Sequence, residues 1–214
     1  MVDAPLRIGV LAVQGDFAEH AAMLRRAARD DGTRLDVREV RTPRDIAGLG
    51  GLIVPGGEST TIGKLLVAYG LEEPIKAAAE NGLPVWGTCA GMILLARDIV
   101  GGEPDGRIGL MDLTVQRNAF GRQIDSFETD LDFVGLDRPI HAVFIRAPLV
   151  ERVGPEAEAL GGGEVPEDGD GRPHPGRVEL PHPAGVGRVG ERQIGGEEPA
   201  LVVVAGQPQA EELL

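Results

Sequence analysis

Cysteine, aromatic residues and long apolar stretches are all scarce in this chain of 214 residues. Its one cysteine excludes an internal disulfide and fits a reducing compartment, so we expect a cytoplasmic protein. Phe, Trp and Tyr make up 3% of the residues and hydrophobic residues in all 42%, which predicts an aliphatic core. No apolar run reaches the roughly 20 residues of a membrane-spanning helix, and the N-terminus lacks the pattern of a secretory signal. A membrane association is therefore not expected.

Basic residues are outnumbered by acidic ones, with 21 Lys and Arg against 34 Asp and Glu and a net charge of −13. A protein that binds nucleic acid needs a basic face for the phosphates, so this balance argues against a nucleic-acid partner. The sequence leads us to expect neither a metal nor an organic cofactor.

The centre of the sequence is a Gly-x-Cys-x-Gly motif at Gly87, Cys89 and Gly91. The residues before it predict the end of a buried strand at 84–86, and the apolar residues after it predict a helix over 90–99. This is the pattern of a nucleophile elbow with cysteine in place of serine. The helix N-terminus favours a thiolate, and a backbone N–H just after the cysteine faces the position of an oxyanion. The alternative is a buried structural cysteine at a glycine turn.

The first hundred residues alternate predicted strands and helices. Buried strands are predicted at 6–13 and 51–54, an edge-like strand at 35–40, and helices after Asp16 and over 61–70 and 72–81. Asp16, with Glu19 three residues later, fits a helix cap. We therefore predict a three-layer, doubly wound α/β fold with a mostly parallel sheet. Shorter strands at 110–115, 123–128 and 143–145 predict a small mixed β part.

A second glycine-rich turn, Pro55-Gly56-Gly57-Glu58-Ser59, follows the strand at 51–54. Ligands of doubly wound sheets bind beyond the carboxyl ends of the strands, where both glycine turns are expected. Lys64 suggests a P-loop, but that motif would need glycine at the position of Glu58. The alternative to a ligand-binding turn is that these glycines serve only the packing of the chain.

None of the four histidines has the sequence context of a catalytic base. His20 falls on the polar side of the first predicted helix and is expected to be solvated. His141 precedes a predicted strand, whereas His174 and His182 lie in a segment rich in glycine and proline. That segment, 161–214, contains 12 Gly and 7 Pro. Its composition predicts disorder, apart from a strand-like run at 200–205, and separates it from a domain over 1–160.

Several stretches together resemble one family. They are Ile8-Gly9-Val10-Leu11-Ala12-Val13-Gln14-Gly15 with Glu19-His20, Leu52-Ile53-Val54-Pro55-Gly56-Gly57-Glu58-Ser59-Thr60-Thr61, Gly87-Thr88-Cys89-Ala90-Gly91, Gly109-Leu110-Met111-Asp112, Arg117-Asn118-Ala119-Phe120-Gly121-Arg122-Gln123 and Phe144-Ile145-Arg146-Ala147-Pro148. Over roughly residues 6–160 the chain resembles the glutaminase subunits of pyridoxal 5'-phosphate synthase, which are class I (triad) glutamine amidotransferases.

The resemblance implies roles for these residues. Cys89 would attack the carboxamide of L-glutamine, and the oxyanion hole would be formed by Ala90 and the turn at Gly56 and Gly57. The glutamine site would be lined by Gly57, Glu58, Ser59, Arg117, Ile145 and Arg146. The ammonia would pass to a synthase subunit, a (β/α)8 barrel in a large oligomer, for synthesis of vitamin B6.

One family feature does not appear in this sequence. The family supplies its catalytic base and acid from a His-Pro-Glu segment after its last strand, whereas no His-x-Glu follows Val204 here. A frameshift near residue 160, a truncated copy and a true insertion are all compatible with this sequence. Three functions therefore remain open: a glutaminase, a non-catalytic relative that binds the synthase or glutamine, and a deglycase- or protease-like relative.

Overall fold

The computed structural model describes residues 4–102, 104–117, 127–133, 136–144, 148–162 and 203–204. The first part of the chain alternates strands and helices, as predicted. Its elements are β1 (Leu6–Leu11), α1 (Phe17–Asp31), β2 (Leu35–Val40), a 3-10 helix (Pro43–Ile46), β3 (Gly51–Val54), α2 (Ser59–Ala68), α3 (Glu72–Glu80), β4 (Val85–Thr88) and α4 (Ala90–Leu95).

Strands predominate in the remainder of the described chain. They are β5 (Ala96–Val100), β6 (Met111–Gln116), β7 (Phe127–Phe133), β8 (Ile140–Phe144), β9 (Leu149–Val153), β10 (Gly161–Gly162) and β11 (Val203–Val204). Strand β6 pairs in parallel with β5 and antiparallel with β9, so the predicted mixed β part is confirmed. Strands β10, β7 and β8 form a further, antiparallel sheet.

The main sheet has the strand order β11-β4-β3-β1-β2, and every pairing in it is parallel. Strand β2 is at one edge, as its alternation of apolar and charged residues predicted. Because β3 and β4 are parallel neighbours, the two glycine-rich turns that follow them lie side by side at one edge of the sheet. This order of strands brings the predicted site together.

Side chains of the sheet alternate between two apolar layers. On β3, Ile53 faces α1 and packs in a cluster with Val10 and Ala21, whereas Leu52 and Val54 face the opposite layer. That second layer contains the apolar faces of α2, α3 and α4, and its buried residues form the larger core. A sheet between two helical layers confirms the predicted three-layer α/β fold.

Two details of the prediction around Cys89 are wrong. The helix predicted over 90–99 ends at Leu95, because Ala96 begins β5 and pairs with Met111 on β6. Pairing with β6 overrides the helical pattern of the apolar residues. Strand β4 is an inner strand, yet Trp86 is 38% exposed, because it points to the α1 side of the sheet where the described residues leave it partly open.

The predictions for the end of the chain fall mainly outside the described residues. Only Gly161–Gly162 and Val203–Val204 of the segment 161–214 are described, the latter as β11 beside β4. The predicted disorder and the domain boundary at 160 therefore stay predictions, and His174 and His182 lie outside the described part.

The contact of α4 with the sheet gives a first testable prediction. A methyl group on Gly91 would clash with the backbone carbonyl of Val54, and no side-chain rotation relieves such a clash. We expect Gly91→Ala to lower the free energy of unfolding by about 2 kcal/mol or to prevent folding. This loss outweighs the gain of about 1 kcal/mol that alanine brings to a helix.

Urea denaturation of the Gly91→Ala and Gly51→Ala variants measures the change in the free energy of unfolding. A methyl group on Gly51 meets the flexible end of Ile8 at 3.0 Å, so this control is expected to lose less than about 1 kcal/mol. Equal stability of Gly91→Ala and the wild type would contradict the close approach of α4 to β3.

Candidate active site

Cys89 lies in a strained turn between β4 and α4. Its backbone angles are φ 48° and ψ −105°, and within the described ranges it is the one non-glycine residue with a positive φ. Such a conformation costs of order 1–3 kcal/mol and persists where surrounding contacts enforce it. Here the contacts come from two flanking glycines. A methyl group on Gly87 would lie 2.6 Å from the carbonyl carbon of Gly91, and Gly91 in turn lies against Val54.

Two backbone N–H groups act on the sulfur of Cys89 and favour its ionised form. One belongs to Ala90, the first residue of α4, and the other to Gly57 in the second glycine-rich turn. The structure therefore brings Cys89, Gly57 and Ala90 together. Two convergent N–H donors beside a thiol form the arrangement that stabilises negative charge on sulfur or on an adjacent oxyanion.

Burial opposes this stabilisation and dominates the acidity of the thiol. The pKa of Cys89 is raised, first because burial disfavours the thiolate and further because the carboxylate of Asp16 lies nearby. The N–H groups of Ala90 and Gly57 lower the pKa of Cys89, but they do not offset the burial. The free chain therefore holds Cys89 mainly as a thiol at neutral pH.

The turn that carries Gly57 rests on the residues that follow β1. The amide of Glu58 donates to Oε1 of Gln14 at 3.2 Å, and the amide of Asp16 donates to the carbonyl of Gly56 at 3.3 Å. A side chain on Gly15, whose φ is 96°, would collide with that carbonyl. Gln14 and Gly15 thus support the second turn, a role that the sequence reasoning missed although they end a predicted strand.

Glu58 caps helix α2. Its carboxylate accepts hydrogen bonds from the amides of Thr60 and Thr61 at 2.9 and 2.7 Å and from the hydroxyl of Thr61 at 2.7 Å. The bond from the Thr61 hydroxyl, with those from the two amides, lowers the pKa of Glu58 to about 2. Glu58 is consequently ionised across the physiological range and holds the start of α2 in place.

Arg117 joins this group from the end of β6. Its guanidinium donates to Oγ1 of Thr60 at 2.9 Å and to the carbonyl of Gly102 at 3.1 Å, and it lies 3.6 Å from the carboxylate of Glu58. Ser59 is 5% exposed at the first position of α2. The structure thus clusters Glu58, Ser59 and Arg117, whereas Ile145 and Arg146 lie outside the described residues.

The prediction that His20 is solvated is wrong. His20 is half-buried, and its Nε2 lies 3.0 Å from Oγ1 of Thr88, the residue before Cys89. Burial lowers the pKa of His20, although the carboxylates of Asp16 and Glu19 act in the opposite direction. Asp16 does begin α1 as predicted, but its side chain makes no capping hydrogen bond there. The polar face of α1 therefore points at the cysteine turn.

His141 lies elsewhere in the fold. Its Nδ1 contacts the carboxylate of Asp130 at 2.9 Å, across the β7–β8 pair. Within the described ranges no histidine ring is hydrogen-bonded to the sulfur of Cys89, and no cluster of three or more His, Cys, Asp or Glu could hold a metal ion.

The charge of Asp16 gives a prediction for the thiol. Because the carboxylate of Asp16 raises the pKa of Cys89, Asp16→Asn should lower that pKa and speed alkylation by iodoacetamide at about pH 8. Alkylation rates between about pH 6 and 10 give the pKa. Glu19→Gln serves as the control, because Glu19 acts on His20 but not on Cys89. A Cys89 pKa that is the same in wild type and Asp16→Asn would contradict this electrostatic arrangement.

The cap at Glu58 gives a prediction for stability. Because folding lowers the pKa of Glu58 from its usual value of 4.5 to about 2, its carboxylate stabilises the fold fully when the pH is above 4.5. This contribution is lost as the pH falls toward about 2. Glu58→Gln should therefore lower the free energy of unfolding by about 1 kcal/mol at pH 7. This deficit should shrink as the pH falls below 4.5. The matched control is Glu80→Gln at the exposed end of α3, with an expected change below about 0.5 kcal/mol. A deficit independent of pH would exclude the charged cap.

Comparison with known proteins relates this geometry to one family. Residues 10–170 match the model of the SNO glutamine amidotransferase family. The pyridoxal 5'-phosphate synthase subunit PdxT of Moorella thermoacetica is 56% identical over 156 residues, covering 72% of this chain and 79% of that protein. The subunit of the same name from Deinococcus radiodurans is 54% identical over 159 residues, covering 72% and 78%.

Structural comparison agrees with the sequence comparison. A crystal structure of a glutamine amidotransferase superposes with a TM-score of 0.63 at 49% identity, over 72% of this chain and 78% of that one. The residues that match the family model, 10–170, include both glycine-rich turns and Cys89. The chain belongs to the SNO glutamine amidotransferase family.

Proposed function

We propose that this chain is the glutaminase subunit of a pyridoxal 5'-phosphate synthase. It hydrolyses L-glutamine to L-glutamate and ammonia, and the ammonia is used by a synthase subunit to build the cofactor. The observation that carries this proposal is the convergence of the Gly57 and Ala90 N–H groups on Cys89 in a chain of this family. Its relatives in Moorella thermoacetica and Deinococcus radiodurans are named as subunits of pyridoxal 5'-phosphate synthase. These names support the proposal that the ammonia is used to synthesise this cofactor.

The reaction begins with addition of the Cys89 thiolate to the carboxamide carbon of glutamine. The carbonyl oxygen becomes an oxyanion, which the N–H groups of Ala90 and of the Gly56–Gly57 turn stabilise. The C–N bond then breaks, the nitrogen takes up a proton and leaves as ammonia, and a glutamyl thioester remains. Water adds to the thioester, the C–S bond breaks, and glutamate leaves with the thiol restored.

The charged ends of glutamine are assigned to the cluster beside this turn. The carboxylate of Glu58 suits the α-amino group, and the guanidinium of Arg117, 3.6 Å from it, suits the α-carboxylate. Gly57 and Ser59 are proposed to line the space between these two side chains and Cys89. Ile145 and Arg146 are proposed to complete the site on the strength of the family resemblance alone.

The synthase partner is proposed to be a (β/α)8 barrel assembled into a large oligomer. The net charge of −13 argues against a nucleic-acid partner, and the single cysteine fits a reducing compartment such as the cytoplasm. Across the described ranges, no helix combines the length and the apolar character that crossing a membrane requires.

A second candidate is a non-catalytic relative that binds the synthase subunit or glutamine. The raised pKa of Cys89 favours it, because a thiol in this state needs a base to become a nucleophile. In the described part of the chain no histidine ring contacts the sulfur. A deglycase- or protease-like activity has less support, because the relatives found are glutamine amidotransferases.

Release of glutamate and ammonia from glutamine separates these candidates. We expect Cys89-dependent hydrolysis by this chain to be at least about 10²-fold slower than by a relative with a histidine at its cysteine. The reason is that no described histidine ring contacts Cys89, and loss of a general base typically costs that much or more. The assay is run with and without a synthase subunit, and Cys89→Ala is the control. Release that persists in Cys89→Ala would contradict the glutaminase proposal.

Two other outcomes are informative. Binding of the synthase subunit without any Cys89-dependent release would establish the non-catalytic relative. Turnover within about tenfold of a relative with a histidine at its cysteine would mean that a histidine of this chain reaches the thiol. Single changes of His141, His174 and His182 to alanine would then identify it.

A further inference from the structure

One hydrogen bond ties helix α1 to the residue that precedes the nucleophile. Thr88 is the last residue of β4 and is 2% exposed, and its Oγ1 lies 3.0 Å from Nε2 of His20, 68 positions earlier in the chain. The proposed reaction makes no use of this contact. A partly buried polar pair beside the cysteine turn requires a reason, since leaving the buried Thr88 hydroxyl unsatisfied costs free energy.

The pleat of β4 directs Thr88 to this partner. Val85 and Gly87 face α4, so Trp86 and Thr88 face the opposite layer, which contains α1. Helix α1 is anchored there by Ala21, which packs with Val10 and Ile53. His20 therefore projects from a helix that is packed against the sheet, not from a loop.

The hydrogen bond adds a side-chain contact on the strand side of the strained turn, where Gly87 contributes only its backbone. On the helix side of Cys89, Gly91 lies against the backbone of Val54 and fixes α4. On the strand side, Gly87 is paired with Val54 in the sheet, and the side chain of Thr88 is bonded to His20. A positive φ at a cysteine persists only where the surrounding contacts hold it.

We propose that His20 is a positioning residue for Cys89. Through Oγ1 of Thr88 it fixes the strand side of the turn, so that the sulfur stays aligned with the N–H groups of Gly57 and Ala90. The inference rests on the proposed function only in taking Cys89 as the nucleophile, and it adds to the site a residue from α1.

The charges around His20 agree with a neutral imidazole in this role. Burial lowers the pKa of His20, and the two carboxylates that face it from its own helix, Asp16 and Glu19, raise it without restoring the usual value. From β4 the ring meets the uncharged hydroxyl of Thr88. A neutral ring can accept a hydrogen bond from that hydroxyl or donate one to it.

Alkylation of Cys89 by iodoacetamide in the full chain tests the proposal. We expect His20→Leu and Thr88→Val each to slow alkylation at about pH 8 by about threefold to tenfold, the equivalent of one lost hydrogen bond. The pKa of Cys89 should rise in both variants. His20→Gln and Thr88→Ser keep a hydrogen-bonding atom at each position, so they should stay within about twofold of the wild type. The double variant His20→Leu/Thr88→Val should be no slower than either single variant, because both remove the same contact.

Several results would overturn the proposal. They are an unchanged or faster alkylation rate in His20→Leu, a His20→Gln variant as slow as His20→Leu, and multiplicative effects in the double variant. A lower melting temperature with an unchanged alkylation rate would mean that the contact only stabilises the fold. If His20→Leu does not fold, the alkylation rate of Thr88→Val is compared with that of Thr88→Ser, because Thr88→Val removes the same hydrogen bond from its other partner. Alkylation requires no glutamine turnover, so a chain that fails as a glutaminase still tests this inference.

Discussion

The site depends on the contact between the backbone of α4 and the backbone of β3. Gly91 lies so close to the carbonyl of Val54 that no other residue fits there, and Gly87 meets Gly91 in the same way from β4. With the helix held against the strand at this distance, the connection at Cys89 has room only for a left-handed backbone with φ 48°. The strained nucleophile position is therefore a consequence of packing, and the two glycines of the motif are the condition for it.

The strand order then supplies the rest of the chemistry. Because β3 and β4 are adjacent and parallel, the turn after β3 brings the N–H of Gly57 to the sulfur that the turn after β4 carries. Strand β1 lies next to β3, and its last residues lead to Gln14, which holds Glu58. The turns after three neighbouring strands thus each contribute residues to a single site, as expected at the carboxyl edge of a parallel sheet.

Much of this arrangement could be predicted from local sequence. The strands at 6–11, 35–40 and 51–54 follow from short apolar or alternating runs, and the position of Cys89 follows from its paired glycines. The end of α4 could not be predicted, because it is set by pairing of Ala96 with Met111, a partner 15 residues away. The partial burial of His20 could not be predicted for a related reason. Its partner Thr88 is 68 residues distant, and only the strand order places the two side by side. Ile145, Arg146 and most of 161–214 remain predictions.

The central claim is that Cys89, its two N–H donors and the Glu58–Arg117 cluster form one glutamine site. Covalent labelling with a chloroketone analogue of glutamine, followed by mass spectrometry of the intact chain, tests it most directly. The account predicts one label per chain at Cys89, slowed by excess glutamine and absent in Cys89→Ser. It also predicts much slower labelling by a chloroketone without the α-amino and carboxylate groups. Equal rates with the two reagents, and no protection by glutamine, would contradict the account.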